Sequence, residues 1–465
     1  MSLPTRWHST PSSPQTYTTP FDPIEKITHY YARLNPHLPQ WTISSGAILP
    51  SSTSYTVSQL KSAWLKLRYN HPIIAARISK DFSGLEYSTF QTSEEITQWL
   101  EESVIIIDTP SSSGISGREL SRELNAPKSG EVYYIPSRHE IFLHLPHEVS
   151  DGMGSILLLN NLLKILRTEE LTVPPPVFGD EIERLPPSLF DVLNKNWRGG
   201  VLGQILPEAE NVFHRFLRND SISLGVKSGV GRDTVPRLPS GRVEYRFSAE
   251  ETEKIVTTCK KKGITVTNAI MAANGLKLLE DCGKQKAGLS NLVSVNLRPV
   301  IGEPYDKQAG GNMFVDTFSV FEVDNSDDEP KGFEKLAREV KEELLRWKFD
   351  DRFVGYTPHI VQRLEEVTRR AVEEEEEKGG SIGKSGFVIS SLGVVDDNRY
   401  LEEEVEDFWF GIGVASVGAG CLFIWTVRGQ LTVAVCYNEE WFEEGKVEGF
   451  VEGVVGGLRR GLELV

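Results

Sequence analysis

The sequence predicts a mixed α/β protein built as two lobes. Three observations carry that expectation. A chain of 465 residues exceeds what one ordinary hydrophobic core organises. Strand-like and helix-like apolar patterns intermix in both halves of the chain. A stretch rich in Gly, Ser, Arg and Pro, Ser221 to Gly241, breaks the patterning near the middle as a linker would. The predicted organisation is an amino-terminal lobe over residues 1–225, opening with an irregular arm over 1–20. A crossover linker over 226–241 and a carboxy-terminal lobe over 242–465 follow.

Composition narrows the function classes. With 39% hydrophobic and 25% charged residues the chain reads as globular. A formal charge of −16 argues against a nucleic-acid partner, because phosphate binding needs a basic face. Cys259, Cys282, Cys421 and Cys436 lie far apart in sequence, with no CxxC and no paired Cys/His spacing. They read as reduced and mostly buried, and no metal site is expected. The first eight residues lack the apolar run of a secretory signal. The most apolar stretch, Ser155 to Leu166, is interrupted by Asn160, Asn161 and Lys164 and is too short to span a bilayer. A cytosolic monomer without membrane contact is the expectation.

Taken in order, Phe21-Asp-Pro-Ile-Glu25 predicts a helix start, with Asp22 as N-cap, Pro23 at the first helical position and Glu25 closing a capping box. A second helix is expected from about Ser58, with Leu60, Ala63, Trp64 and Leu67 on one face, stopped by Asn70-His71-Pro72. Ile73 to Ile78 and Glu140 to Leu145 read as strands. The latter runs into His147-Glu-Val-Ser-Asp-Gly152 and then a leucine-rich helix. In the second half Arg242 to Phe247 reads as a strand, Ser248 to Glu251 caps a helix ending at Lys262-Gly263, and Thr265 to Asn268 caps the next. Leu292 to Leu297, Phe387 to Ser390, Cys421 to Val427 and Leu431 to Tyr437 read as strands. Charged helices are expected from Asp328 to about Lys348 and from Glu444 to Leu462. The run Glu373 to Glu377 reads as a solvated helix end.

The segment His147-x-x-x-Asp151-Gly152 lies at a strand end, where active-site loops sit. A neutral imidazole is suited to taking a proton from an alcohol near pH 7. An aspartate four residues on can anchor the loop through a buried ion pair, and the glycine permits close packing. Standing alone, the same residues read as a hydrogen-bonded loop histidine followed by an Asp-Gly turn. Lys260 to Lys262 suit the negative end of a helix dipole better than a phosphate. His71 reads as serving the turn before Pro72, and His144 as a packed strand histidine.

Further marks change the weight of that motif. Leu67-Arg-Tyr-Asn-His71-Pro72, Gly263-Ile-Thr-Val-Thr-Asn268, Val295-Asn296-Leu-Arg298-Pro299, Gly311-Asn312, Ser390-Ser391-Leu-Gly393, Asp407-Phe-Trp-Phe-Gly411 and Tyr437-Asn438 follow one another along nearly the whole chain. In this order they resemble the coenzyme A-dependent acyltransferase superfamily with the chloramphenicol acetyltransferase fold. That group includes plant BAHD enzymes, peptide-synthetase condensation domains and fungal trichothecene O-acetyltransferases. The finer resemblance is to the fungal enzymes, through Phe178 to Pro187. Pro146 stands where condensation domains carry a second histidine. In Asp407 to Gly411 the tryptophan is displaced relative to the plant enzymes.

The resemblance implies two similar α/β lobes with a channel at their interface. It implies His147 as general base in an O-acyl transfer from acetyl-CoA or another acyl-CoA to a hydroxyl of a small-molecule terpenoid or polyketide alcohol. No covalent acyl-enzyme is implied. Asp151 would pair with Arg298 to support the loop, Gly152 would complete it, and Ser390 or Ser391 would supply an oxyanion donor. Asn296, Asp407 and Gly411 would be structural. Residues Phe408 to Phe410 are expected to fill the interface between lobes. Two other readings stay open: a condensation-like enzyme that cyclises without coenzyme A, and a non-catalytic binding protein on the same scaffold.

Overall fold

The computed structural model describes residues 6–10, 13–33, 38, 40–108, 114–168, 176–196, 207, 210–211, 213–216, 221–227, 237–326, 329–347, 351–378, 387–397, 400–415 and 420–464. The chain divides into two compact units. The first comprises Met1–Asn196, Asn296–Phe314 and Val395–Gly413; the second comprises Trp197–Val295, Val315–Val394 and Val414–Val465. The lobes are therefore not the contiguous stretches expected from sequence. Residues 197–225 group with the second unit, and two segments of the carboxy-terminal half group with the first. Ile222 and Leu224, expected to end the first lobe, sit in the core of the second unit, and the Ile222 N–H donates to the Gly288 carbonyl at 3.0 Å. A linker-like composition marked the region of the transition without marking which core its apolar residues enter.

The first unit holds a five-stranded sheet in the spatial order Asp407–Ile412, Ile43–Ile48, Glu140–Leu145, Glu131–Ile135, Val104–Ile106. Glu140–Leu145 is its central strand and is buried along its length, so the chain leaving it at Pro146 has a rigid origin. The helix Gly152–Arg167 packs on this sheet and on the helix Val57–Asn70. Residues 8–10 and 13–20, expected as irregular arm, form two strands of a four-stranded sheet with Gly84–Ser88 and Arg77–Ile78. Thr16, Tyr17, Thr18 and Thr19 favour extended backbone, and their partner strand is supplied from far along the chain. The expected strand over 73–78 is instead a 3₁₀ turn, Pro72–Ala75, and the short strand Arg77–Ile78. Pro72 has no N–H to give a ladder.

Helix starts follow their sequence signals. Asp22 Oδ1 accepts from the N–H groups of Ile24 and Glu25, and Glu25 Oε2 accepts from the Asp22 N–H at 2.9 Å. Thr265 and Asn268 form a reciprocal box opening Val266–Asp281. Ser248 caps Ala249–Lys262, but Glu251 pairs with Arg459 in place of closing a box.

The second unit holds a six-stranded sheet ordered Phe314–Asp324, Lys286–Asn296, Val388–Val394, Cys421–Val427, Gln430–Asn438, Ser240–Arg246. Helices Val266–Asp281, Glu329–Trp347 and Lys446–Gly461 pack against one another around its core. The helix Asp351–Lys378 carries the Glu373–Glu377 run. Cys259, Cys421 and Cys436 are buried and Cys282 is exposed; all four are free.

Candidate active site

Asp151 begins the site. It is the N-cap of the helix Gly152–Arg167, its Oδ1 accepting from the Gly154 N–H at 2.7 Å. Its carboxylate is buried, and Arg298 Nη1 donates to both oxygens at 2.9 Å. The Met313 N–H adds a third donor at 2.7 Å to Oδ2. Arg298 is buried too. Its Nε donates to the Gln308 carbonyl at 2.7 Å, and Asn296 Oδ1 accepts from its backbone N–H and from Nη1. Asn296 is held in turn by Tyr400, its Nδ2 donating to the hydroxyl at 3.1 Å. Two charges taken out of water are tolerated when paired and hydrogen-bonded to this extent.

The loop between strand and helix is stitched to residues 309–313. Ser150 Oγ donates to the Ala309 carbonyl at 3.0 Å, and the Gly311 N–H donates to the Val149 carbonyl at 2.8 Å. Gly311 has φ +76 and packs under Pro186, whose carbonyl accepts from the Trp7 indole at 3.1 Å. Gly152 occupies the first helical position. Gly154 is where close approach matters. A Cβ there would lie 2.4 Å from the Ala309 carbonyl oxygen, 2.4 Å from Ser150 Oγ and 3.0 Å from Arg298 Nη2. Gly154→Ala is expected to cost about 1–3 kcal/mol of stability through overpacking, read as a lowered denaturant midpoint.

His147 is half-buried on this loop, its ring centroid 5.4 Å from that of Phe314. Asn312 grips it at two points. The Asn312 Nδ2 donates to the His147 carbonyl at 2.9 Å, which orients the amide so that Oδ1 faces His147 Nδ1 at 3.2 Å. An amide oxygen only accepts, so in the neutral ring the proton is on Nδ1 and Nε2 carries the lone pair. Asp151 makes no hydrogen bond to the ring; its oxygens are taken by Arg298, Gly154 and Met313. Asn312 was noted in sequence only as part of a Gly-Asn pair. Its role depends on a partner 165 residues away, and no local spacing signals that. Replacing Asn312 with Ala is expected to lower kcat about 10- to 100-fold, the worth of one hydrogen bond to a charged group, with the acceptor KM nearly unchanged in initial-rate measurements.

His144, three residues upstream, shows the opposite arrangement. Its Nε2 lies 3.1 Å from the Asn125 carbonyl and must donate, so Nδ1 accepts from Ser44 Oγ at 2.9 Å. Burial pushes its pKa down to about 4, against the hydrogen bond to Asn125. Burial, aided by Arg184, likewise holds His71 at about 4, and His71 Nε2 accepts from Asn161 Nδ2 at 2.9 Å. Below the ordinary pH 6.5 the unfolded chain takes protons that the folded rings refuse until about pH 4. Stability should therefore fall as pH drops through that window. His144→Gln is expected to shrink the loss between pH 7 and pH 4.5 by about 2–3 kcal/mol in urea titrations.

The remaining predicted residues lie elsewhere. Asp407 and Gly411 belong to the edge strand Asp407–Ile412 of the first unit, where Gly411 pairs with Ser44 and Asp407 Oδ2 accepts from Arg118 Nη2 at 2.6 Å. Trp409 is fully buried, its indole donating to Glu140 Oε1 at 2.7 Å, beside Tyr133, Ile135 and Phe142. Trp409 thus fills the core of the first unit, which corrects the expectation of an interface role for that residue. Ser390 and Ser391 are in the strand Val388–Val394 of the second unit, and Ser391 Oγ lies 2.9 Å from Thr267 Oγ1. Among the described residues no cluster of three or more His, Cys, Asp or Glu is arranged to hold a metal, and no helix is long and apolar enough to cross a membrane.

No family model matches the chain. The O-acetyltransferase pigM of Monascus ruber is 23% identical over 94% of this chain and 83% of its own length. The trichothecene 15-O-acetyltransferase TRI3 of Fusarium sporotrichioides superposes with a TM-score of 0.77, at 18% identity over 97% of both chains. The chain is thus similar along nearly its whole length to fungal O-acetyltransferases. The epimerization domain of the third module of tyrocidine synthetase B shares the fold at a TM-score of 0.64 and 12% identity, covering 96% of this chain. The mixed α/β fold is that of chloramphenicol acetyltransferase-like proteins, and the protein is an acyltransferase.

Proposed function

We propose that the protein transfers an acetyl group from acetyl-CoA to a hydroxyl of a small-molecule natural product, with His147 Nε2 as the general base. The observation that carries this reading is the Asn312 grip, which holds the proton on Nδ1 and leaves Nε2 free to accept one. The names of pigM and of TRI3 support acetyl as the acyl group and a natural-product alcohol as the acceptor.

The acceptor hydroxyl gives its proton to Nε2 while its oxygen attacks the thioester carbonyl. The imidazolium that forms is stabilised by Nδ1–H donating to Asn312 Oδ1. Collapse of the tetrahedral adduct breaks the C–S bond, and the thiolate recovers the proton from Nε2. No acyl-enzyme is needed. Burial raises the Cys259 thiol to about 11 and raises the Cys421 thiol as well, so neither offers a thiolate nucleophile near neutral pH. Ser390 or Ser391 is proposed to supply one oxyanion donor. The experiment is thiol release from acetyl-CoA with a panel of hydroxylated polyketides and terpenoids. Intersecting double-reciprocal lines are expected. Parallel lines, or an acyl adduct on the protein by mass spectrometry, would contradict the direct transfer.

A further inference from the structure

His29 lies buried on the helix Pro23–Arg33, and neither of its ring nitrogens has a hydrogen-bond partner. Its Nδ1 is 3.8 Å from Oε1 of Glu148, the residue that follows His147. Glu148 is buried as well. Among the described residues its carboxylate makes no hydrogen bond, and the His29 ring is the basic group within ion-pair distance of it. Glu25, one turn earlier on the helix of His29, is taken by Arg6, which donates to both of its oxygens. A carboxylate this far from water needs a partner. A proton on Nδ1, whether the ring is neutral or charged, faces Oε1. At 3.8 Å the attraction is electrostatic, and its strength depends on how dry the surroundings are.

Aromatic rings flank His29. Its ring centroid lies 5.1 Å from that of Phe21, and the ring stacks on Phe82 at 5.7 Å. Phe82 has φ +58, a strained conformation for a bulky residue, and is largely exposed. The turn that holds it is tied by short bonds. Asp81 Oδ1 accepts from Ser79 Oγ at 2.7 Å and from Ser83 Oγ at 2.8 Å, and the Phe82 N–H donates to the Ser79 carbonyl at 2.9 Å. A strained, exposed ring is kept where it shields His29 from solvent. Ser150, Gly311 and Asn312 hold the His147 loop to residues 309–313. Glu148 gives that loop a separate link, to the helix Pro23–Arg33.

We propose that His29 is a positioning residue for acyl transfer, holding Glu148 and through it the backbone that carries His147. The inference rests on the reading of His147 as general base. A reacting group misplaced by about 1 Å can cost about 100-fold in rate. A tether one residue from the base therefore acts on turnover and not on substrate binding.

Initial-rate kinetics on purified full-length variants test this. His29→Phe keeps a ring between Phe21 and Phe82 but gives Glu148 no partner, and Glu148→Leu removes both carboxylate oxygens. Each is expected to lower kcat about 10- to 30-fold, with both KM values within about twofold of wild type. The double variant should lose no more than the worse single, because His29 acts through Glu148. A merely structural role would lower the unfolding midpoints and leave kcat per folded molecule at the wild-type value. That result overturns the proposal, and so do losses that multiply in the double variant. Should His29→Phe not fold, the kcat of Glu148→Leu decides. The two readings fail separately. Near-normal turnover in His147→Ala ends the general-base reading, whereas wild-type kcat in His29→Phe beside an inactive His147→Ala ends this inference alone.

Discussion

Replacing His147 with alanine is expected to lower turnover by about two to four orders of magnitude, the usual contribution of a positioned general base. The folded state should be little affected. The ring is half-buried, and the strongest bonds of the loop, from Asp151, Ser150 and Gly311, do not involve it. Asn312 would retain its bond to the residue-147 carbonyl. The measurement is thiol release by purified variant and wild type, with unfolding midpoints compared alongside. Near-normal turnover in a folded variant would end the general-base reading.

The second large effect is on stability. Arg298→Ala leaves the Asp151 carboxylate buried with backbone donors alone, and Asp151→Asn leaves the guanidinium without its counter-charge. Breaking one side of such a pair costs about 3–5 kcal/mol. Both variants should therefore show sharply lowered denaturant midpoints and lowered activity, since the same carboxylate caps the helix that follows His147. The double variant Asp151→Asn/Arg298→Ala should lose less than the two singles summed. Additive losses would mean that the two groups contribute independently, against the 2.9 Å geometry.

What could be read from sequence, and what could not, divides along sequence separation. Caps at Asp22, Thr265 and Ser248 were legible because donor and acceptor lie three residues apart. The strand, loop and helix around His147 were legible because a continuous apolar run meets a polar loop and then helical spacing. The Asp151–Arg298 pair spans 147 residues and was expected from the family resemblance, because no local pattern encodes it. The Asn312 grip, the extended pairing of residues 13–20 and the placement of Trp409 beside Glu140 escaped for the same reason. A strand's partner and a histidine's tautomer are settled by what arrives from elsewhere.

The strand Asp407–Ile412 also bears on how the protein is made. Its partner in the sheet, Ile43–Ile48, leaves the ribosome more than three hundred residues earlier, and Arg298 follows Asp151 at a shorter lag. At about 5–20 residues per second, the interval between synthesis of residue 196 and residue 412 is roughly ten to forty seconds. During that time the nascent first unit exposes an unpaired edge along Ile43–Ile48, and until Arg298 is made Asp151 lacks its partner. Such an edge is a template for pairing with other chains. The amino-terminal two-fifths of the chain therefore has to wait, unfinished, for nearly the whole message to be translated, and a chaperone that shields nascent strands would raise the yield of active protein.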